Sequence, residues 1–113
     1  MDDAGWYAVY NSITVDSTNT PHISYRISND LMHAKSDGAG GWDKTVVTGT
    51  VDYANSIAIG PNDLPQIGYF DYIAEDVMLA KFNGATWDTE AVFTPDYTGD
   101  ANIYARMISI TVD

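Results

Sequence analysis

Short runs in which apolar and polar residues alternate recur along the chain, separated by residues that favour turns. Such alternation is typical of β-strands, because successive side chains point to opposite faces of a sheet. No stretch shows the spacing of apolar positions that an amphipathic helix requires. The sequence therefore predicts an all-β protein, with strands at about 7–16, 21–28, 31–37, 42–48, 53–60, 65–72, 76–82, 87–93 and 104–113.

The predicted strands belong to an internal repeat. The run Ser-Ile-Thr-Val-Asp that begins at Ser12 returns as Ser-Ile-Ala-Ile-Gly from Ser56, 44 residues later, and as Ser-Ile-Thr-Val-Asp from Ser109. The run Pro-His-Ile-Ser-Tyr at 21–25 likewise matches Pro-Gln-Ile-Gly-Tyr at 65–69. A unit of this length with four short strands is typical of a β-propeller blade.

We therefore predict two four-stranded antiparallel blades of a β-propeller, at about 7–48 and 53–93, in a single domain 1–113. The strand at about 104–113 would be the first strand of a third blade. Apolar residues on both faces of the predicted strand at 65–72 support this reading, because a blade is sandwiched between two neighbours.

Two kinds of aromatic side chain in the repeat could contact a ligand or a metal ion. Trp42 and Trp87 begin the predicted fourth strands at one repeat position, which favours packing between blades over ligand stacking. His22 and His33 have a glutamine and a leucine as their counterparts, and they lack the spacing of metal ligands. We therefore expect both histidines to be ordinary strand residues.

The pattern resembles the sialidase-like, or BNR-like, propeller repeats of secreted bacterial proteins. The resemblance lies in the runs at 12–16 and 21–25 and in a glycine turn followed by tryptophan, at 41–42 and 83–87, and it covers nearly the whole chain. The Asp-box of that superfamily is met only in part, by Ser-Asp-Gly at 36–38 and by the end of the motif at 83–87. The resemblance implies the propeller fold and an extracellular location.

The charge and the composition exclude some partners. The 16 acidic and 5 basic residues give a net charge of −11, which repels nucleic acid and anionic membrane surfaces. No apolar run is long enough to cross a membrane, and the start at Met1, Asp2 and Asp3 has no signal-peptide pattern. There is no cysteine to form a disulfide or a zinc–thiolate site.

Propellers bind ligands mainly through the loops between the second and third strands and those between the fourth strand and the next blade. Tyrosine beside carboxylates in such loops suits a glycan, although a protein surface or a merely solvated acidic loop stays open. The same carboxylates could hold calcium, but no Asp-x-Asp-x-Asp-Gly loop is present, and we expect no other cofactor. The candidate ligand-binding residues are Arg26, Asp71, Tyr72, Asp96 and Tyr97.

Catalysis is not expected. A sialidase-type site needs an arginine cluster and a Tyr–Glu pair, whereas the chain holds only Arg26 and Arg106, with Glu75 and Glu90 as its only glutamates. The leading interpretation is a non-catalytic binding or scaffold module. The alternatives are a fragment of a glycoside-acting enzyme whose catalytic residues lie in missing blades, and a purely structural self-assembling fragment.

Two blades leave two apolar faces without a neighbour, and propellers close with about four to eight blades. The ring is therefore completed either by a longer chain or by copies of this one, and we favour a trimer. Because 104–113 nearly duplicates 7–16, we expect it to dock where a neighbour's 7–16 would lie, by strand exchange. The oligomer contacts predicted on this strand are Tyr104, Ile108, Ile110 and Val112.

Overall fold

A computed structural model of the protein describes residues 9–49 and 51–93. The first unit contains β1 (Val9–Val15), β2 (Pro21–Ile27), β3 (Asp30–Ser36) and β4 (Trp42–Thr48). The second contains β5 (Val51–Ile59), β6 (Pro65–Asp71), β7 (Asp76–Phe82) and β8 (Trp87–Phe93), with a short 3-10 helix at Pro61–Asp63. The all-β prediction is confirmed, and each predicted strand in these ranges agrees with the structure to within two residues at either end. The predicted strand at 104–113 lies outside the described residues.

Each unit is one antiparallel meander, with the order β1-β2-β3-β4 in the first sheet and β5-β6-β7-β8 in the second. Asp37 and Asn83 shape the turns before the fourth strands, since each side-chain oxygen accepts two backbone N–H groups of the turn. Gly38 and Gly84 take positive φ angles there, of 78° and 99°, which glycine tolerates without strain. Within the described ranges no helix is long and apolar enough to cross a membrane.

The two sheets share an irregularity that marks them as structural copies. In the first sheet Leu31 pairs with Thr48 and Met32 with Val46, so that Val47 is an extra residue in β4. In the second sheet Val77 pairs with Phe93 and Met78 with Ala91, which makes Val92 the extra residue in β8. A β-bulge at the same position of both fourth strands means that the repeat extends to strand register.

The sheets pack face to face. We call the two faces in contact the inner faces and the two opposite ones the outer faces. The inner face of the first sheet carries Ser12, His22, Ser24, Leu31, His33 and Val47, and that of the second carries Ile57, Ile67, Tyr69, Met78, Ala80 and Trp87. The outer face of the first sheet carries Ile13, Ile23, Tyr25, Ala34 and Val46, and that of the second carries Ser56, Gln66, Gly68, Leu79 and Val92.

The contact between the inner faces is mainly apolar, and hydrogen bonds lie beside the apolar cluster. Leu31 of the first sheet is fully buried in one cluster with Ile67 and Tyr69 of the second. Ser24 Oγ donates to Asn55 Oδ1 at 2.6 Å, and the backbone N–H of Ile57 donates to Ser12 Oγ at 3.3 Å. Apolar burial therefore holds the sheets together, and these polar contacts fix their relative position.

Replacement of the same repeat position in the two sheets should have unequal effects. Ile57 is 5% exposed on an inner face, whereas its counterpart Ile13 is 64% exposed on an outer face. We expect Ile57→Ala to lower the free energy of unfolding by about 2–4 kcal/mol and Ile13→Ala by less than about 1 kcal/mol. Urea denaturation of both variants at low protein concentration measures the difference, and equal losses would contradict the packing described here.

Candidate functional site

The loops predicted to bind a ligand lie together at one end of the two sheets. The β2–β3 loop (28–29) belongs to the first sheet and the β6–β7 loop (72–75) to the second. Val51, the first residue of β5, donates its backbone N–H to the carbonyl of Asn29 at 3.1 Å and pairs with Asp71 of β6. The start of β5 therefore holds the two loops side by side.

The predicted ligand-binding residues within the described ranges all lie at this end. Arg26 is a half-buried residue near the end of β2, where it pairs with Leu31 and donates its Nε–H to the carbonyl of Ser28. Asp71 ends β6, and Tyr72 begins the loop that follows. Asp96 and Tyr97 lie outside the described residues. Asp71 and Tyr72 are thus placed in one loop, and Arg26 lies on the neighbouring sheet.

Asp71 shapes its loop. One carboxylate oxygen accepts the backbone N–H groups of Ile73 and Ala74, at 2.9 and 3.0 Å, and its carbonyl accepts that of Glu75 at 2.7 Å. This turn leaves Tyr72 38% exposed and Ile73 66% exposed. The loop therefore exposes an aromatic ring beside an aliphatic side chain, and the carboxylate of Asp71 holds the loop backbone through hydrogen bonds.

A second group of polar residues is buried in the first sheet. We call Asp16, His22 and His33 the Asp–His–His cluster. His22 Nε2 lies 2.9 Å from Asp16 Oδ2, and His22 Nδ1 lies 3.0 Å from His33 Nε2. The other carboxylate oxygen of Asp16 accepts the backbone N–H groups of Thr18 and Thr20, together with the hydroxyl of Thr18. The cluster therefore ties the β1–β2 turn to the face of the sheet.

The hydrogen bonds assign the protons of the cluster. With Asp16 ionised, His22 donates from Nε2 to the carboxylate, and its Nδ1 accepts the Nε2–H of a neutral His33. The hydrogen bond from His22 and those from Thr18 and Thr20 hold the pKa of Asp16 well below its usual range. Burial, with smaller contributions from His22 and Lys35, lowers the pKa of His33 to about 4.

The cluster lies at the contact between the sheets. The ring of His33 stacks on that of His22 and meets the edge of Trp87 from the second sheet, with centroids 5.2 and 5.3 Å apart. An ionised Asp–His pair resembles the part of a catalytic triad that activates a nucleophile. Here a second imidazole, itself packed against Trp87, occupies the place of the nucleophile. The arrangement therefore supports the turn and the interface.

The sequence interpretation of these histidines missed this cluster. The second sheet has Gly60, Gln66 and Leu79 at the three equivalent positions, so the whole set changes between the repeats. A Cβ atom at Gly60 would lie 2.4 Å from Nε2 of Gln66, which shows that Gln66 fills the space beside the turn. The signal in the sequence was this joint replacement of three positions.

A cleft lies at the opposite end of the sheets from the loops. It measures about 300 Å³ and opens between β4 and the β7–β8 hairpin, beside Trp87 and Phe82. No group of three or more His, Asp or Glu side chains in residues 9–49 and 51–93 is arranged to hold a metal ion. The expectation of no cofactor, with calcium at the loop carboxylates as the open alternative, stays a prediction.

We expect the protein to lose stability as the pH falls from about 6.5 to about 4. In the unfolded chain His33 gains a proton near its ordinary pKa of 6.5, whereas in the folded protein it does so only near pH 4. The stability that neutral His33 contributes is therefore complete above about pH 6.5 and lost below about pH 4. The loss in the free energy of unfolding is on the order of 3 kcal/mol. Asp16 acts in the same sense at lower pH, because its pKa is also lowered by folding.

The free energy of unfolding at pH 7, 5.5 and 4.5, from urea titrations, measures this loss. The double variant His22→Gln/His33→Leu carries the residues that the second sheet has at these positions, and it should show a much flatter profile over this range. A wild-type profile that is equally flat would contradict the assigned protonation of His33.

Comparison with known proteins finds no matching family model, no matching curated protein and no matching solved structure. The functional proposal below is therefore built on the geometry and chemistry of this chain.

Proposed function

We propose that the two sheets are adjacent blades of a β-propeller and that the chain is a non-catalytic module that binds a glycan through its loop end. The observation that carries the proposal is the stacking of two repeated four-stranded sheets, with the same bulge in each, beside a loop that exposes an aromatic ring. A protein surface is the second class of ligand that these loops fit.

The relative position of the sheets supports a ring. The strands β1 and β2 lie close to β5, the first strand of the second sheet. Toward the fourth strands the sheets diverge, and the cleft beside Trp87 opens between β4 and the β7–β8 hairpin. Two sheets that are close at one edge and apart at the other form a wedge. Repetition of such a wedge around an axis closes the ring of a propeller.

The chemistry of the loop end supports a neutral, oxygen-rich ligand. The ring of Tyr72 offers an apolar face to a sugar and a hydroxyl to its oxygens. Arg26 and the loop carboxylates supply further hydrogen bonds, and Asp96 and Tyr97 are the proposed contributions from beyond the described residues. The net charge of −11 disfavours polyanionic ligands.

Copies of the same chain are the partner that we propose for closing the ring. Three copies would supply about six blades, within the usual range of propellers. The segment 104–113, which repeats the sequence of β1, would take the place of β1 beside β2 in the first sheet of the next copy, by strand exchange. In this arrangement Tyr104, Ile108, Ile110 and Val112 form the oligomer contacts.

Glycan binding should depend on Tyr72. On a glycan array we expect Tyr72→Ala to reduce binding at least about tenfold, because loss of the ring removes the stacking surface. Tyr72→Phe keeps the ring and should retain most of the binding. The free energy of unfolding should change little in either variant, since the side chain is exposed.

Three results would count against this proposal. If no glycan on the array binds, glycans are excluded as the ligand. If Ile73→Ala reduces binding as much as Tyr72→Ala does, a protein surface is favoured as the ligand. Turnover of a fluorogenic glycoside by this chain would overturn the non-catalytic assignment.

Light scattering after size exclusion should give a mass near three times 12.4 kDa. Deletion of 100–113 should shift or abolish this oligomer, because the exchanged strand is lost. A monomer would mean that other residues complete the ring, and an unchanged oligomer after the deletion would contradict the strand exchange.

A further inference from the structure

We infer that the cleft between β4 and the β7–β8 hairpin is a binding site for a small, uncharged molecule with one aromatic ring and a hydroxyl or carbonyl group. The volume of about 300 Å³ is at the lower end of the range for small-molecule sites, which suits a single ring. The cleft and the loops proposed to bind a glycan lie at opposite ends of the sheets. The inference therefore does not rest on glycan binding, and each proposal can fail without the other.

The wall of the cleft that the second sheet provides is aromatic. Phe82, the last residue of β7, pairs with Trp87, the first residue of β8, and their ring centroids lie 5.2 Å apart. Both side chains are half-buried, so part of each ring faces the solvent. The first sheet has Ser36 and Trp42 at the corresponding positions and forms the same hairpin. Because that hairpin forms with one ring, the second ring is not needed for the turn and is left to stack on a ligand.

The opposite wall is formed by β4 and continues the contact between the inner faces. Val47, the extra residue of the bulge in β4, packs against the apolar cluster between the sheets, as does Trp87. Thr45 lines the same wall and is exposed. An aromatic ring placed between Val47 and Trp87 would extend the apolar cluster outward and would lose contact with water on both of its faces.

The polar groups of the cleft define the class of ligand. Among the described residues that line it none is charged, so a charged ligand would give up its hydration without a counter-charge. The hydroxyl of Thr86 accepts a hydrogen bond from Nδ2 of Asn83 at 3.0 Å, which leaves its own proton to be donated to a ligand oxygen. Thr45 contributes a second hydroxyl. Two hydroxyls suit a ring with one polar group better than a sugar, which carries a hydroxyl on most of its carbons.

Para-cresol, which has one aromatic ring and one hydroxyl, is the probe for this site. We would titrate it into isotope-labelled protein and follow the amide and indole N–H signals by NMR. The expected result is saturable binding with a Kd of about 1 mM or lower, and with the largest shifts at Thr45, Thr86 and Trp87. Benzoate and methyl glucoside, which differ from the probe in charge and in the type of ring, should bind at least about tenfold more weakly.

A variant that fills the cleft tests the location of the site. Thr45→Trp should abolish binding of para-cresol, because the large side chain then occupies the cleft. Thr45 is exposed, so the variant should keep its fold, which urea denaturation checks. The matched control is Lys44→Trp. Lys44 is also exposed and pairs with Ala34 on the outer face, so the same ring there should leave the Kd within about twofold.

A second variant tests the aromatic wall. Phe82→Ser carries the residue that the first unit has at this position, and it should raise the Kd for para-cresol about tenfold, because one of the two rings is lost. An unchanged Kd in this variant would contradict the proposed stacking.

Three further outcomes would overturn the inference. Shifts that do not saturate by about 10 mM para-cresol, or that are largest at other residues, would mean that the cleft is not a binding site. Equal weakening by Thr45→Trp and Lys44→Trp would mean that the ring binds elsewhere on the protein. Binding of benzoate or methyl glucoside as tight as that of para-cresol would contradict the proposed class of ligand.

Discussion

The structure depends on the packing of apolar side chains between two sheets, each of which has apolar residues on both faces. An antiparallel sheet that meets water on one side alternates apolar and polar residues, so that a single neighbour is sufficient. The strand β6 does not follow that rule, because Ile67 and Tyr69 on one face and Phe70 on the other are all buried. A sheet built in this way buries side chains on both of its faces, and the first sheet covers one of them.

The same repeat position is stabilised in two different ways, and the difference distinguishes the faces. In the first sheet the β1–β2 turn is held by Asp16 and His22, and the ring of His33, which is hydrogen-bonded to His22, contacts Trp87 of the second sheet. In the second sheet Gly60 and Gln66 pack together without charge. Among the described residues no buried side-chain nitrogen or oxygen lacks a hydrogen-bond partner. One turn position is therefore held by a charged, hydrogen-bonded cluster in the first unit and by neutral packing in the second.

The strands could be predicted from sequence because alternation and turn residues are local signals. The turns at Asp37 and Asn83 form as the Asp-Gly and Asn-Gly pairs suggest. The Asp–His–His cluster could not be predicted in this way, since His22 and His33 are brought together by the pairing of β2 with β3 and by burial under Trp87. Comparison of the repeats showed a histidine replaced by leucine, which indicates a tolerant position when it is read alone. Only the three-dimensional structure shows that the residues at 16, 22 and 33 contact one another, so that their replacements are coupled.

One difference between the two units lies at the loop end. The β2–β3 loop has two residues and the β6–β7 loop has four, whereas the four strands of each unit keep their registers. Asp71 accommodates the longer loop by binding its backbone, so the change does not extend into β6 or β7. Strand packing thus constrains the body of each unit and leaves the loops free to differ. An exposed loop that is supported by a rigid sheet can change its chemistry without loss of the core, and this property suits the loop end to the ligand binding proposed above.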